Sequence, residues 1–354
     1  MRLLDRYIGR SVVIHSLIVL VVLLALYFFS LFVTELDSVG HGKYTIAHAL
    51  LYTLMLIPRQ IYELFPMVAL IGSMLGLGAL ANNSELTVIR AAGVSVRRVL
   101  VSVLKVGMLM VLVVVLLGEG LAPWLEKRAL EWRASLLEET ITIHSQGGLW
   151  ARDGNTFFQI RNVISANMAD NVTLYRLDKD FRVSEIVVAR HAIYQGDDWQ
   201  LKDVLSSRFS EGAITTQHMD TVAWHSSLTP EVVGLVSIPP ENLSIWDLTS
   251  YISYLRENGL DSGPYELSFW IRIMTPLATA GMVLLSVPFV FGSMRSVALG
   301  RRVTVGALIG IGFYMFNAIF SRLGLVFSLP PFFSAALPTM LVYVAWVLMM
   351  RRVR

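Results

Sequence analysis

The chain has 354 residues, of which 55% are hydrophobic and only 16% charged, and its 29 Lys and Arg against 26 Asp and Glu leave a net charge of +3. A composition this apolar excludes an ordinary soluble domain and makes the lipid bilayer the first solvent to consider. With no cysteine, disulfides, thiolate metal sites, iron–sulfur clusters and cysteine nucleophiles are excluded too, and the small charge carries no signature of nucleic-acid binding.

The first apolar run, residues 12 to 34, is interrupted only by His15 and a few hydroxyls. It is longer than the ~7–15-residue core of a signal peptide, and no small-residue cleavage site follows, so it reads as a retained first span. Runs near 61 to 81 and 101 to 122 approach the ~20 residues a helix needs to cross. Ionisable groups in spans are expensive and therefore candidates for function. Glu63 and Glu119, however, stand near the outer ends, where contact with water is the simpler reading, and His15 reads as an interfacial or packing residue. Gly76, Gly78 and Ala81 match a dinucleotide fingerprint in letters only, because they end an apolar helix instead of following a strand. Gly72 with Gly76 reads as a close-packing face.

Between the second and third spans lies NNSELTVIRAAGVSVRRVL, residues 82 to 100, where a short turn would suffice. Ser84 suits an N-cap, Glu85 the positive end of a helix dipole and Gly93 a C′ position, which predicts a helix over 84–92. Ser95 then caps a helix that carries Arg97 and Arg98 into the third span. Leu86, Ile89 and Gly93 share one side, Glu85 and Arg90 lie elsewhere, and small Ala91 and Ala92 sit near the end. Two roles suit such a helix: a capped element lying on the membrane surface, or a plug for a cytosolic partner.

After the third span, LEKRALEWRASL continues as a helix on which Lys127, Arg128 and Glu131 are neighbours by three- and four-residue spacing. Arg133 lies about one and a half turns beyond Arg128. Cationic side chains here suit phosphate groups, and Arg binds two oxygens at once; the alternative is a solvated face balanced by Glu126 and Glu131. The pattern then changes. FFQIRNV, VTLYRL, VSEIVVARHAIYQ, WQLKDVLSSRF and TTQHMDTVAWH are short, β-branched or aromatic, and punctuated by turn residues. They predict an all-β sandwich, jelly roll or related fold. A capping-box-like start at Ser244 and Asp247 opens a helix that returns the chain to spans near 267 to 291, 303 to 323 and 331 to 350, with Gly306 and Gly310 as a second close-packing pair.

Positive charge orients these spans. Arg2, Arg6 and Arg10, then Arg90, Arg97, Arg98 and Lys105, then Arg295, Arg301 and Arg302, and finally Arg351, Arg352 and Arg354 fall on one side. The short loops of the other side hold only Lys43, Arg59 and Arg322. The positive-inside rule places both termini in the cytoplasm and the large insert outside. The expected architecture is an α-helical membrane protein with six transmembrane helices and an inserted periplasmic β-jelly-roll-like domain. Residues 1–122 form the first membrane half, 123–266 the β domain with flanking helical connections, and 267–354 the second half. No phosphate loop, H-E-x-x-H or G-x-S-x-G is present, and no metal-ligand spacing joins the histidines. The sequence therefore assigns no catalytic residue and no metal.

SELTVIRAAGVS, with LDRYIG at 4 to 9, GLWARDGNTFFQI at 148 to 160, IYQGDDWQL at 193 to 201 and SYISYLRENGLDSGPYELSFW at 250 to 270, resembles the LptF/LptG permease family of the lipopolysaccharide export transporter, nearly end to end. The resemblance implies that 84–92 is a coupling helix seated in a groove of the ATPase subunit LptB. Its contacts would be Ser84, Glu85, Leu86, Ile89, Arg90, Ala91, Ala92 and Gly93; Glu85 matches the family's acidic residue, and Ala92 and Gly93 its small-residue end. The implied partners are an LptB-like ATPase dimer that binds ATP and Mg, a homologous membrane subunit LptF, and LptC followed by LptA, with lipopolysaccharide as substrate and no cofactor in this chain. The implied location is the inner membrane of a Gram-negative bacterium.

The resemblance also implies that Arg133 and Arg272 occupy basic positions that hold the phosphorylated headgroup, which Lys43, Lys127 and Arg128 would join. Where relatives carry lysines after the first span, this chain reads LFVTELDSVG, with Glu35 and Asp37 and no base before Lys43. Phe28, Leu31, Phe32, Phe65, Met67, Phe316 and Phe320 suit either an acyl-chain cavity or ordinary packing. Burial of acyl chains supplies ~0.8 kcal/mol per CH₂, so extracting the lipid needs an energy source. An ion-gradient-driven secondary transporter would need a central acid with a partner, which no span carries. A membrane-tethered assembly protein would have little use for six spans or the helix at 84–92.

Overall fold

The computed structural model describes residues 3–352 apart from 138–148, 154, 166, 179–181, 197, 211–212, 227–228, 231–238 and 292–298. Arg2, Arg295 and Arg354, which contribute to the charge asymmetry, lie outside the described residues. In chain order the helices are α1 (Leu3–Glu35), α2 (Ile46–Met55), α3 (Ile57–Asn82), α4 (Glu85–Ala91) and α5 (Val96–Leu116). A π-turn at Leu117–Leu121 joins α5 to α6 (Ala122–Leu137). After the strands come α7 (Ile245–Glu257), α8 (Gly263–Phe291), α9 (Leu299–Val326) and α10 (Pro331–Met350). Among the described residues six candidate spans are long and apolar enough to cross a membrane, and each expected run lies on one of them. The sequence reading missed α2; its ten residues fall below bilayer length, and its start is a capping box of Thr45 with His48, the Thr45 N–H donating to His48 Nδ1 at 3.2 Å, where the usual partner is Glu or Gln.

The described chain forms two compact units: one of Met1–Val39, Thr45–Ala129 and Glu266–Arg354, the other of Gly40–Tyr44 and Leu130–Tyr265. The first is the membrane unit, and α3 is its spine. A methyl group at Gly72 would overlap Ser16 of α1, and one at Gly76 would lie 2.8 Å from the Val12 Cα. Ser11 Oγ donates to the Gly76 carbonyl at 2.9 Å across the same contact. Glycine here lets two backbones meet where lipid provides no hydrophobic drive between helices. On the other flank Gly310 of α9 faces Met67, whose Cγ would lie 2.5 Å from an added Cβ, and Gly306 faces Ile71. Both glycine pairs read from the sequence thus lie at close helix contacts, one on α3 against α1 and one on α9 against α3.

The second unit holds β1 (Leu149–Asp153), β2 (Thr156–Ser165), β3 (Met168–Leu177), β4 (Val183–Gln195), β5 (Asp198–Ser210) and β6 (Ala213–Trp224). They pair antiparallel in chain order as one six-stranded sheet, the all-β insert that the turn spacing predicts. Period-2 alternation sends Phe158, Ile160, Leu174, Trp199, Leu201 and Trp224 to one face, which α7 covers with Tyr251, Tyr254 and Leu255. α7 starts where the capping box requires, with Asp247 N–H on Ser244 Oγ at 3.1 Å and Ser244 N–H on Asp247 Oδ2 at 3.3 Å.

One buried carboxylate crosses three strands. Glu185 of β4 accepts from Ser206 Oγ at 2.8 Å and pairs with Arg176 of β3 at 2.7 Å and Arg208 of β5 at 3.2 Å. Burial works to raise its carboxyl, and the Ser206 hydroxyl with the two guanidinium groups outweighs it, holding the group below its ordinary range. A carboxyl depressed on folding contributes stability that is present above the unfolded value, about 4.3, and is lost as pH falls through the lower folded value. Glu185→Gln should therefore cost about 1–3 kcal/mol at neutral pH. The deficit should begin to shrink as pH falls below the unfolded value of about 4.3 and vanish below the lower folded value, measured as urea unfolding of the full chain by tryptophan emission. A deficit that does not change with pH would refute this role.

Candidate functional site

Asn83 and Ser84 alone reverse the chain from α3 into α4. That reversal puts Ser84 in the left-handed region (φ 60°, ψ 7°), and its hydroxyl makes no cap, which corrects the N-cap reading of the sequence. α4 accordingly has seven residues, beginning at Glu85. Its other end is as the glycine requires: Gly93 has φ +88°, its N–H donates to the Arg90 carbonyl at 2.9 Å, and the Val94 N–H donates to the Ile89 carbonyl at 3.3 Å. This pair of bonds closes the helix with a Schellman motif. Ser95 caps α5 by accepting from the Arg98 N–H at 3.3 Å. Leu86 is buried among Leu80 and Val99, with Ile89 packed beside it, while Thr87, Arg90, Ala91 and Ala92 are exposed. Val88, 65% exposed, is the apolar point of the outward face.

Three ties hold this segment, the first at the surface and the other two buried or half-buried. The Tyr7 hydroxyl of α1 donates to Glu85 Oε2 at 2.6 Å. Two residues earlier, Asp5, 1% exposed, accepts from Ser102 Oγ at 2.5 Å and pairs with Arg98 at 3.0 Å and Lys105 at 3.2 Å, all on α5. Arg302 of α9 is fully buried and donates to Asn82 Oδ1 at 3.1 Å. A methyl group at Gly78 would overlap its guanidinium. The sequence counts Arg98, Lys105 and Arg302 only as orienting charge; folding gives each a partner. It passes over Asp5 and Tyr7, which precede the apolar run and carry no signal beyond an acid in a first helical turn.

The basic candidates divide between the two units. In the membrane unit, the Arg272 side chain of α8 is 4% exposed and pairs with Glu119 at 2.6 Å. Its carbonyl accepts from the Tyr62 hydroxyl at 2.9 Å, and the Tyr62 ring lies against Gly118, where no Cβ would fit. Glu119 therefore meets a guanidinium inside the bundle, not simply water, and sits in the π-turn of the third span. Glu63 pairs with Arg59 at 2.8 Å. Lys127 and Arg128 are exposed, with Arg128 over the Trp124 ring at 4.9 Å. In the β unit, Arg133 lies 5.9 Å from the Tyr44 ring centroid. The segment Gly40–Tyr44 is fixed to α6 through the Lys43 N–H, which donates to the Leu136 carbonyl at 2.8 Å.

Among the acyl-chain candidates, Phe28 and Phe32 stack on α1 at 6.1 Å and Phe316 and Phe320 meet on α9 at 4.2 Å; all four, and Leu31, are half-buried. Phe65 is buried in the core of α3, and Met67 packs against Gly310. Among the described residues no group of three or more His, Cys, Asp or Glu is placed to hold a metal.

The family model for the lipopolysaccharide export system permease LptF/LptG matches residues 6–352. The chain is 36% identical over 353 residues to the lipopolysaccharide export system permease protein LptG of Haemophilus influenzae, covering 99% of each. It is 36% identical over 339 residues to the protein of the same name from Escherichia coli K12, covering 95% of this chain and 94% of that one.

Removing one partner of a buried ion pair costs more than removing both. Glu119→Leu alone should destabilise the bundle by about 3 kcal/mol more than Glu119→Leu with Arg272→Met, read from detergent-induced loss of helical signal. Equal losses would mean that the pair is not the strut its geometry describes.

Proposed function

We propose, on the premise that this chain belongs to the LptF/LptG family of lipopolysaccharide export permeases, that it is the membrane subunit through which an ABC-type exporter extracts lipopolysaccharide from the inner membrane. In this reading an LptB-like ATPase dimer holds ATP and Mg and supplies the work, and a homologous subunit, LptF, completes the lipid chamber. Both termini face the cytoplasm, in keeping with Arg6, Arg10, Arg97, Arg98 and Arg301 at one end of the spans.

α4 carries the proposal. A loop needed only to join α3 to α5 gains nothing from a closed helix that buries Leu86 and holds Val88 outward. A lever needs both features: an anchor within the bundle and a contact face outside it. ATP-driven closure of the ATPase dimer pushes on Glu85–Ala91 and reaches α3 and α5 directly, because two residues join α3 to α4 and four join α4 to α5. The chamber wall is formed by Phe28, Leu31 and Phe32 of α1 and Phe316 and Phe320 of α9, with Phe65 and Met67 supporting it from within. In the membrane unit Lys127 and Arg128 take phosphate oxygens, and Arg272 braces the bundle from inside; in the β unit, taken by itself, Lys43 and Arg133 offer the same chemistry.

The β domain passes the lipid to LptC and then LptA. β6 pairs only with β5 among the described strands and is largely exposed, the kind of edge that accepts an added strand.

Val88→Asp tests the coupling role. The side chain points outward, so the bundle should fold normally while co-purification of the ATPase and ATP-dependent lipopolysaccharide release from proteoliposomes are lost. Wild-type association and release would overturn the assignment.

A further inference from the structure

The first span is tied to the coupling segment more firmly than its loop connections require. Asp5 is a carboxylate in the first turn of α1, 1% exposed, and the donors it is given, Arg98, Ser102 and Lys105, all come from α5. A buried carboxylate is costly unless such partners are in place, so the start of α1 follows α5 wherever α5 goes. Tyr7 then reaches α4 through Glu85. Along the next turns a methyl group at Gly9 would meet Val106 of α5, Ser11 bonds the Gly76 carbonyl of α3, and Ser16 fills the space beside Gly72. Within one half of its length α1 thus touches α3, α4 and α5. Beyond it Leu20 and Leu23 still lie against the bundle core, while Val21, Val22, Leu26 and Phe29 on the opposite side are exposed. Phe32, at the far end, lies about 24 Å along the axis from Ser16 at the usual helical rise.

Resting on the coupling role of α4, we infer that Asp5 is a positioning residue that makes the inner half of α1 one rigid body with α4 and the start of α5. The ATPase stroke then drives the first span as well as the second and third. The outer half of α1, with Phe28, Leu31 and Phe32, is the arm of that body. It sweeps the acyl-chain chamber when the block turns.

The chain has no cysteine, and an added Gly9 Cβ would lie 3.6 Å from the Val106 Cβ, inside the ~3.5–4.5 Å a disulfide spans. Gly9→Cys with Val106→Cys, in the assembled complex in proteoliposomes, locks α1 to α5 on oxidation. If the two move together, the oxidised complex releases lipopolysaccharide per ATP as the reduced one does. Loss of release on oxidation, restored by reductant, overturns the inference. Asp5→Asn assigns the residue: ATPase association and hydrolysis should persist while release per ATP falls by about tenfold, the size of an ordinary coupling free energy. An unchanged ratio removes Asp5 from this role. If that variant does not assemble, the disulfide still decides. Failure of the underlying coupling reading shows separately, as ATPase association retained in Val88→Asp.

Discussion

The membrane unit depends on how closely helices can approach α3. Lipid tails are as apolar as the side chains they touch, so helices associate through contact and hydrogen bonding instead of water exclusion. Gly72 and Gly76 admit α1, Gly78 admits the side chain of Arg302, and Gly306 and Gly310 let α9 close on Met67 and Ile71. With both flanks occupied, α3 becomes the most buried of the spans. Motion imposed at its end near Asn82 is therefore shared with its neighbours and not absorbed by slack packing.

Charges decide which neighbours share it. Asp5 with Arg98 and Lys105, Arg272 with Glu119, and Arg302 with Asn82 each join helices distant in sequence. In the β unit Glu185 does the same across three strands. Such pairs add little net stability over apolar packing, but a wrong arrangement strands a charge and is heavily penalised. Their value here is registration: they set which turn of one helix faces which turn of another. The transport reading uses that property, because α4 is short and works only if its base is held by the bundle.

Legibility in the sequence followed the range of the interaction. The six spans, the Schellman end at Gly93, the Ser95 cap and the capping box at Ser244 rest on neighbours within a few residues, and letters alone reveal them. Ser84 misled because the same letter suits an N-cap and a left-handed turn; the two-residue reversal between α3 and α4 selected the turn. Glu119 misled because its partner, Arg272, lies 153 positions away. Asp5 and Tyr7 were invisible because their partners are 78 to 100 residues distant and no periodicity announces them.

By itself the sequence determined that the chain crosses a bilayer six times, that a β domain interrupts the spans, and that a short helix ended by Gly93 separates the second span from the third. Hydropathy, alternation and capping are local, and bilayer thickness turns them into architecture. Only the tertiary structure decided that the first span grips that helix, that Arg272 and Arg302 are internal struts, and that Leu86 is buried while Val88 faces outward. Those outcomes require helices far apart in the chain to be brought side by side, and a charge finds its partner only after they are.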